Sequence, residues 1–371
     1  VFLAALLLVL LGGWQARQAA DRGAAGRWLV VAAAVYGLSL GNHALTLLLA
    51  PGIAIFVLLV APRILWQQWR VVLVATAVLV LCAALVYLYL PLRSAMDPPI
   101  EYADPQTWDG FWYVVLGEQF QGSFGPLPPL AEIGSQVWDE LVRNLGLLAA
   151  LAVAGALLGL VRHPRLTVLG LLWFGCTWLF ALGYPNANIE RYYLVPLLVS
   201  ALWVGLALDA LAEAMAEILG RRGRARAGLV AAVVAALALA LSAGPALERY
   251  DTLDASGDTW GRRFMEATFA SVEQDAVVIS WWSFSTPLWY GQHVEGKRPD
   301  VTVLDDRDIL YEGYGTVEAA IETHIGSRPV YLIRHTDERA RLEQEYALTR
   351  VADVPAELYR VERAGPIGVD P

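Results

Sequence analysis

Long apolar runs separated by short polar loops dominate the first two-thirds of the chain. From these runs we predict about eight membrane spans, several of them shorter than the roughly 20 residues that cross a bilayer upright. The predicted spans cover residues 1–13, 28–41, 44–61, 71–90, 144–161, 166–183, 192–210 and 227–244. The pair 28–41 and 44–61 is short enough to form either two spans or a re-entrant hairpin.

Residues 91–143 separate two of these spans and have a helical pattern of their own. Asp104-Pro105 resembles a helix start, and the aromatic and apolar residues that follow predict an amphipathic helix at the membrane surface over residues 105–120. Beyond the break at residues 122–129, helical spacing predicts a second helix that runs into the span 144–161.

From residue 245 onward, short β-rich runs alternate with helical patterns. Strands are predicted at 276–281, 301–304 and 329–333, and helices at 285–293, 316–325 and 337–346. This alternation is typical of a small α/β domain with a largely parallel sheet. We therefore predict a transmembrane domain over 1–244, with an outer loop at 91–143, and a soluble α/β domain over 245–371. A ligand of that domain is expected at the carboxyl ends of its strands, near Trp281, Trp282, Asp305 and Asp306.

Arginine distribution predicts an orientation for the spans. Four loops that fall on one side hold eleven arginines, whereas the loops on the other side hold only Arg93, Arg143 and Arg191. Since basic residues in short loops stay on the cytoplasmic side, the tip 41–43, the loops 91–143 and 184–191 and the C-terminal domain are expected outside. That domain has 13 basic and 23 acidic residues. It lacks the basic surface that nucleic acid requires, so no nucleic-acid partner is expected.

The segment Glu190-Arg191-Tyr192 stands where an outer loop enters a span. An arginine at such a position is costly unless it is paired or functional, and its guanidinium fork fits a phosphate. Glu190 could pair with it, and Tyr192 could sit in the headgroup belt. Two interpretations stay open, an interfacial anchor and a phosphate site. Arg93, just beyond another span end, is a second candidate for a lipid phosphate.

Several other polar or aromatic residues are candidates for headgroup or acceptor contacts. Asn42 and His43 at an outer tip could bind a headgroup or relay a proton, although a capping Asn and a hydrogen-bonded His account for them equally well. Acids of the outer loop could act as general bases or bind a metal, but such residues are more often solvated. The candidates in this group are Asn42, His43, Asp97, Glu101, Trp281 and Trp282.

Segments in both parts of the chain carry a family resemblance. They are residues 37–43, 89–93, 97–99, 104–105, 287–290, 295–296, 298–301 and 328–331. Together they resemble a bacterial family of protein O-mannosyltransferase-like membrane proteins. That family is similar to the GT-C class of glycosyltransferases, which take a sugar from a polyprenyl-phosphate donor on the outer face. The resemblance implies a GT-C-like helical bundle, and it implies donor-phosphate contacts at Arg191, Arg93, Glu190 and Tyr192.

The resemblance does not identify a catalytic carboxylate. In GT-C enzymes it usually lies in the first outer loop, and because the chain opens in mid-span at Val1 we expect it upstream of Val1. We predict a multi-pass glycosyltransferase of the bacterial inner membrane, with its C-terminal domain on the outer face. Its donor would be a polyprenyl-phosphate sugar and its acceptor a protein or glycan, with membrane lipid around it. No cofactor is identified, and a divalent metal stays open.

Two other functions remain as alternatives to the transferase. One is a non-enzymatic envelope scaffold, and the other is a flippase or transporter of a lipid-linked substrate. A transporter is expected to carry charged residues in mid-span, and the predicted spans are almost free of them.

The predicted orientation can be tested by cysteine labelling. After replacement of Cys82 and Cys176 by alanine, a cysteine at position 256 should react with an impermeant maleimide on intact cells. A cysteine at position 225 should react only after the membrane is opened. The reverse pattern would contradict the orientation.

Overall fold

The computed structural model describes residues 2–184, 189–218, 224–248, 250–351 and 354–364. It divides into two compact units. Unit 1 comprises Val1–Ala95 and Gln106–Leu253, and unit 2 comprises Met96–Pro105 and Asp254–Pro371. Unit 1 is helical and apolar, and unit 2 contains a sheet with helices. The predicted fold class, a polytopic helical membrane protein with a C-terminal α/β domain, is confirmed. The boundary at residue 244 and the side of the membrane stay predictions.

Unit 1 consists of helices joined by short connections. The α-helices are α1 Phe2–Gln18, α2 Arg22–Leu40, α3 Ala50–Val60, α4 Ile64–Gln67, α5 Trp69–Tyr87, α6 Tyr89–Ser94, α7 Trp108–Leu116, α8 Glu118–Gln121, α9 Leu130–Leu145, α10 Leu148–Arg162, α11 Pro164–Gly183, α12 Leu194–Ile218, α13 Arg224–Glu248 and α14 Tyr250–Leu253. Two 3₁₀ helices, Ala44–Leu49 and Ile189–Tyr193, precede α3 and α12.

Four helical stretches in the described part of the chain are long and apolar enough to cross a membrane. They are Gly23–Leu40, Trp69–Ser94, Pro164–Gly183 and Arg191–Ile218. The other predicted spans coincide with α1, with the 3₁₀ helix and α3, with α10 and with α13, for which a full crossing stays a prediction. The predicted continuation of the outer-loop helix α9 into α10 is wrong. Gly146, at φ +56°, ends α9, and the two helices differ in direction by 116°.

Helices in unit 1 approach closely where glycine removes a side chain. A Cβ on Gly155 of α10 would overlap the backbone carbonyl of Trp203 in α12, and a Cβ on Gly37 of α2 would press on the backbone of Leu79 in α5. Small residues allow such contacts between membrane helices. In addition, the indole N–H of Trp173 in α11 donates to the carbonyl of Leu49, 3.2 Å away. This bond ties α11 to the 3₁₀ helix that follows the tip 41–43.

Unit 2 is a five-stranded sheet with helices. Its elements are α15 Trp260–Ser271, β1 Val277–Ile279, α16 Trp282–His293, β2 Thr302–Leu304, α17 Asp306–Tyr311, α18 Val317–His324, β3 Val330–Leu332, α19 Thr336–Leu342, β4 Tyr346–Arg350 and β5 Tyr359–Arg363. The strand order is β2-β1-β3-β5-β4. The three predicted strands are present as β1, β2 and β3, and they pair in parallel with β1 at the centre.

The last two strands differ from the sequence expectation. The helix predicted over 337–346 ends at Leu342, and β4 begins at Tyr346. The β4 strand pairs antiparallel with β5, which in turn pairs antiparallel with β3. Tyr346 and Val361 are thereby buried in the core on one side of the sheet. Pairing across the sheet overrides the helical pattern at this end because strand preference depends on the partner strand more than on local sequence.

A ten-residue segment of the outer loop, Met96–Pro105, belongs to unit 2. Its Ile100 and Tyr102 pack against the core cluster on one face of the sheet. The Tyr102 hydroxyl lies 3.3 Å from Oδ2 of the fully buried Asp305, and the Arg307 guanidinium lies 4.5 Å from the centre of the Tyr102 ring. Asp305 also caps α17 by accepting from the backbone N–H groups of Arg307 and Asp308. The core of unit 2 is therefore completed by residues more than 150 positions earlier in the chain.

Truncation of Tyr102 should destabilise unit 2 selectively. Tyr102→Ala removes a half-buried ring, a hydrogen bond to Asp305 and the cation–π contact, and we expect a loss of about 2 kcal/mol. Tyr102→Phe should lose about 1 kcal/mol, because only the hydrogen bond disappears. Amide hydrogen exchange at β1 and β3 in the full chain measures the effect, with Tyr89→Ala, at an exposed tyrosine of α6, as the control. Unchanged exchange in Tyr102→Ala would contradict a role for this segment in the core.

Candidate functional site

The tip between α2 and the first 3₁₀ helix is held close to α5. A Cβ on Gly41 would overlap the side chain of Val86, so only glycine allows this approach. The Tyr87 hydroxyl donates to the carbonyl of Leu40 at 3.1 Å. This contact satisfies a carbonyl at the end of α2, where no further helical turn can do so.

His43 lies at this tip as the N-cap of the 3₁₀ helix. Its Nδ1 accepts from the backbone N–H of Leu45 at 3.2 Å, so the neutral ring carries its proton on Nε2. Burial lowers the pKa of His43, and the positive charge of Arg191 lowers it further. At neutral pH the ring is therefore a neutral hydrogen-bond donor rather than a cation.

Tyr192 joins His43 to Arg191. The rings of His43 and Tyr192 meet edge to face with centroids 6.1 Å apart, and the Arg191 guanidinium lies 5.6 Å from the centre of the Tyr192 ring. Tyr192 is itself held by edge contacts with Phe180 and Tyr184 of the α11 end. The structure thus brings together three residues that are almost 150 positions apart in sequence, and we call them the tip cluster: His43, Arg191 and Tyr192.

A cleft of about 540 Å³ opens beside His43. Its walls are formed by the tip, the end of α5 and the start of α6, together with two valines of α7. The lining residues are Leu40, Gly41, Asn42, His43, Ala44, Leu85, Val86, Tyr87, Tyr89, Leu90, Val114 and Val115. Most of this wall is aliphatic or aromatic, with polar groups concentrated at the tip. Such a surface suits an amphipathic molecule with an apolar chain and a polar head.

The remaining predicted site residues lie in different places. Glu190 belongs to the 3₁₀ helix Ile189–Tyr193 by its backbone, and its side chain is outside the described residues. Arg93 lies exposed in the last turn of α6. Asp97 and Glu101 belong to the segment Met96–Pro105 of unit 2, not to the unit that holds the tip cluster.

Trp281 and Trp282 follow β1 after the intervening Ser280, at the carboxyl edge of the sheet. The half-buried Trp281 packs between Phe284 and His335, with ring centroids 5.2 and 4.3 Å away. Trp282 is 53% exposed. Of the neighbouring acids, Asp305 is buried as a helix cap, and Asp306 pairs with the buried Arg334 that follows β3.

Asp308 is a titratable residue that the sequence reading missed. Its Oδ2 accepts from the backbone N–H of Asp305 at 3.0 Å, which completes a capping box at the start of α17. Burial is the largest influence on this carboxyl and raises its pKa to about 6. The spacing Asp305-x-x-Asp308 before an apolar residue was the available signal, since a capping box has this pattern.

Metal ligands do not gather in the part of the chain that the structure describes. No three His, Cys, Asp or Glu side chains there are placed to hold one ion. The catalytic base expected upstream of Val1 is likewise outside the described residues.

A family model matches the N-terminal part of the chain. The model of the family described as "Protein O-mannosyl-transferase TMEM260 N-terminal domain" matches residues 1–67. These residues include α1 to α4 and the tip with His43, but not Arg191 or unit 2. No curated protein and no solved structure matches the chain. The match supports an O-mannosyltransferase-like family.

Neutralising Asp308 should stabilise unit 2 in a pH-dependent way. Because its pKa is about 6 when folded and near 3.8 when unfolded, the carboxyl favours the folded state below pH 3.8 and loses that contribution as the pH rises through 6. Asp308→Asn keeps an oxygen that can accept from Asp305 and carries no charge. We expect the variant to melt at least ~2 °C higher than the parent at pH 7.5, with a smaller gap at pH 4.5.

Tryptophan fluorescence of the full chain during heating measures this gap. Asp337→Asn is the matched control, because Asp337 is an exposed acid of α19 in the same unit. An equal gap at both pH values would contradict the assigned cause.

Proposed function

We propose that this chain is part of a membrane glycosyltransferase of the GT-C class, which moves a sugar from a polyprenyl-phosphate donor to a protein or glycan acceptor. The observation that carries the proposal is the tip cluster, in which Arg191 and His43 both contact Tyr192 and His43 lines an amphipathic cleft. The family match over residues 1–67 supports the same reaction class, since that family is named for mannosyl transfer to protein.

In this proposal Arg191 binds the phosphate of the donor. Its guanidinium presents a fork of N–H donors that fits phosphate oxygens, and stacking on Tyr192 restricts its rotation. Nε2–H of the neutral His43, whose ring also contacts Tyr192, supplies a further donor. The aliphatic wall of the cleft, with Leu85, Val86 and Val115, contacts the first units of the prenyl chain.

The contact between Arg191 and the donor phosphate would assist catalysis because the phosphate is the leaving group. When the bond between the sugar and the phosphate breaks, negative charge develops on the phosphate oxygens. A guanidinium fixed beside those oxygens stabilises the transition state more than the ground state. In this proposal a carboxylate acts as the general base and takes the proton of the acceptor hydroxyl.

The other predicted contacts are assigned lesser roles in this proposal. Arg93 and Glu190 assist at the donor phosphate, and Asn42 contacts the headgroup from the tip. Asp97, Glu101, Trp281 and Trp282 of unit 2 contact the acceptor. We place the chain in the bacterial inner membrane with unit 2 on the outer face, as the arginine distribution predicts.

Replacement of Arg191 should weaken donor binding. The full chain in lipid nanodiscs would be titrated with a fluorescent short-chain polyprenyl phosphate. Arg191→Gln should bind at least ~10-fold more weakly, because a charge-assisted hydrogen bond contributes about 1.5–3 kcal/mol. Arg191→Lys keeps the charge but loses the fork, so its affinity should fall between those of Arg191→Gln and the parent.

Arg165→Gln is the matched control, since Arg165 is an exposed arginine at the opposite end of α11. Equal affinities for the parent, Arg191→Gln and Arg165→Gln would show that Arg191 is only an interfacial anchor, and the donor site would have to lie elsewhere.

A further inference from the structure

Unit 2 contains a cavity of about 330 Å³ that the tip cluster and its chemistry do not involve. It lies along the outer edge of β2, which is an edge strand of the sheet. Helices α16 and α17 and the outer-loop segment Met96–Pro105 supply its other walls. The lining residues are Pro99, Ile100, Trp289, Gln292, His293, Pro299, Val301, Thr302, Val303, Leu304, Asp308 and Glu312.

Two of the lining side chains are fixed by the backbone of this edge. The indole N–H of Trp289 donates to the carbonyl of Val303 at 3.4 Å, and Nε2 of Gln292 donates to the carbonyl of Val301 at 2.6 Å and to that of Arg298 at 3.0 Å. These bonds occupy carbonyls that an added strand would otherwise use. They also fix an aromatic ring and an amide in the cavity before any ligand arrives, which lowers the entropy lost on binding.

The charges around the cavity exclude an anionic ligand. Asp308 of α17 and Glu312, which caps the end of that helix, line it, and none of the described lining residues is lysine or arginine. A phosphate or carboxylate would meet two acidic side chains and no lysine or arginine among the described lining residues, and like charges at short range repel in a partly buried site.

We propose that this cavity binds a carbohydrate. A sugar hydroxyl both donates and accepts, and the polar lining offers both functions: Asp308 and Glu312 accept, Thr302 donates and accepts, and the His293 imidazole does either. Trp289, Ile100 and the two prolines supply apolar surface for the C–H face of the ring. An amine ligand would be accepted by the two acids, but it offers no acceptor to the Thr302 hydroxyl or to a donating His293, whereas a sugar hydroxyl serves both functions.

Ligand binding would account for a carboxyl group at position 308. It is half-buried, and burial opposes its ionisation at neutral pH. Binding sites commonly keep residues that reduce stability, because the ligand supplies the missing hydrogen bonds. An asparagine could complete the same helix cap without this cost, so capping alone does not require a carboxyl group.

The cavity also connects carbohydrate binding to the outer loop. Pro99 and Ile100 line it, and the segment that contains them leads back to α6 and to α7. A bound saccharide would therefore contact a segment whose ends belong to the membrane unit. Binding itself is independent of the proposed transfer reaction and would hold for a non-enzymatic protein as well.

The test is direct binding by saturation-transfer difference NMR. The full chain is placed in lipid nanodiscs, because maltoside detergents carry a sugar of their own. The probes are the disaccharides mannobiose, cellobiose, lactose and chitobiose, and Nα-acetyl-lysine amide serves as the cationic probe. We expect at least one disaccharide to bind, and the lysine derivative not to bind.

Variants test whether the saccharide binds in this cavity. Glu312→Gln should weaken saccharide binding about 10-fold. His293→Trp, at an exposed residue that lines the opening, should abolish it by filling the space. Asp337→Asn and Arg191→Gln should both bind like the parent, so that failure of the donor site and failure of this site are distinguishable. The thermal melt of each variant checks that unit 2 is folded.

Three results would overturn the proposal. Absence of binding by all four disaccharides would show that the cavity is not a carbohydrate site. An undiminished signal in folded His293→Trp would place the sugar elsewhere. Binding of the lysine derivative alone, lost in Glu312→Gln, would identify the cavity as a site for a cationic side chain.

Discussion

The structure of unit 1 depends on one requirement: every backbone N–H and C=O group inside the bilayer needs a hydrogen-bond partner. Inside a bilayer no water is present to bond a free N–H or C=O, so each group must find its partner within the chain. Long helices such as α5, α11 and α12 meet this requirement internally. At helix ends it must be met by other means, and the Tyr87 hydroxyl and the Trp173 indole do so at Leu40 and Leu49. Polar side chains therefore concentrate at the helix ends, where functional groups can also be held.

The tip cluster follows from this arrangement. Gly41 lets the tip rest against α5, and the aromatic residues at the end of α11 hold Tyr192 in place. Tyr192 then contacts both His43 and Arg191. Burial, and after it the nearby guanidinium, lowers the pKa of the imidazole, so the two residues offer complementary donors rather than two competing cations.

The core of unit 2 is built from two parts of the chain that are distant in sequence. The segment Met96–Pro105 leaves unit 1, packs Ile100 and Tyr102 onto the core of unit 2, and returns to unit 1. Through Tyr102 it contacts Asp305, which caps α17, and through Pro99 it lines the cavity beside Asp308. The helix cap, the core and the cavity of unit 2 thus share one structural segment. A change in the outer loop would reach the cavity through these direct contacts.

The sequence by itself determined the class of the protein and much of its framework. Apolar runs specify helices that a bilayer requires, and the parallel strands β1, β2 and β3 were evident from their β-branched runs and intervening helical patterns. The local sequence alone was enough to single out Arg191, because a charged residue at the end of a span is unusual. Its partner His43 was a separate candidate, and no sequence spacing indicated that the two share Tyr192.

Only the tertiary structure decided the features that rest on contacts between distant residues. The bend at Gly146, the pairing of β4 with β5, the transfer of Met96–Pro105 into unit 2 and the cavity around Asp308 are all of this kind. Local patterns record which face of an element is buried, but they do not record which other element buries it. That choice is made by packing and by hydrogen bonds across the fold, and these become definite only when the whole chain is assembled.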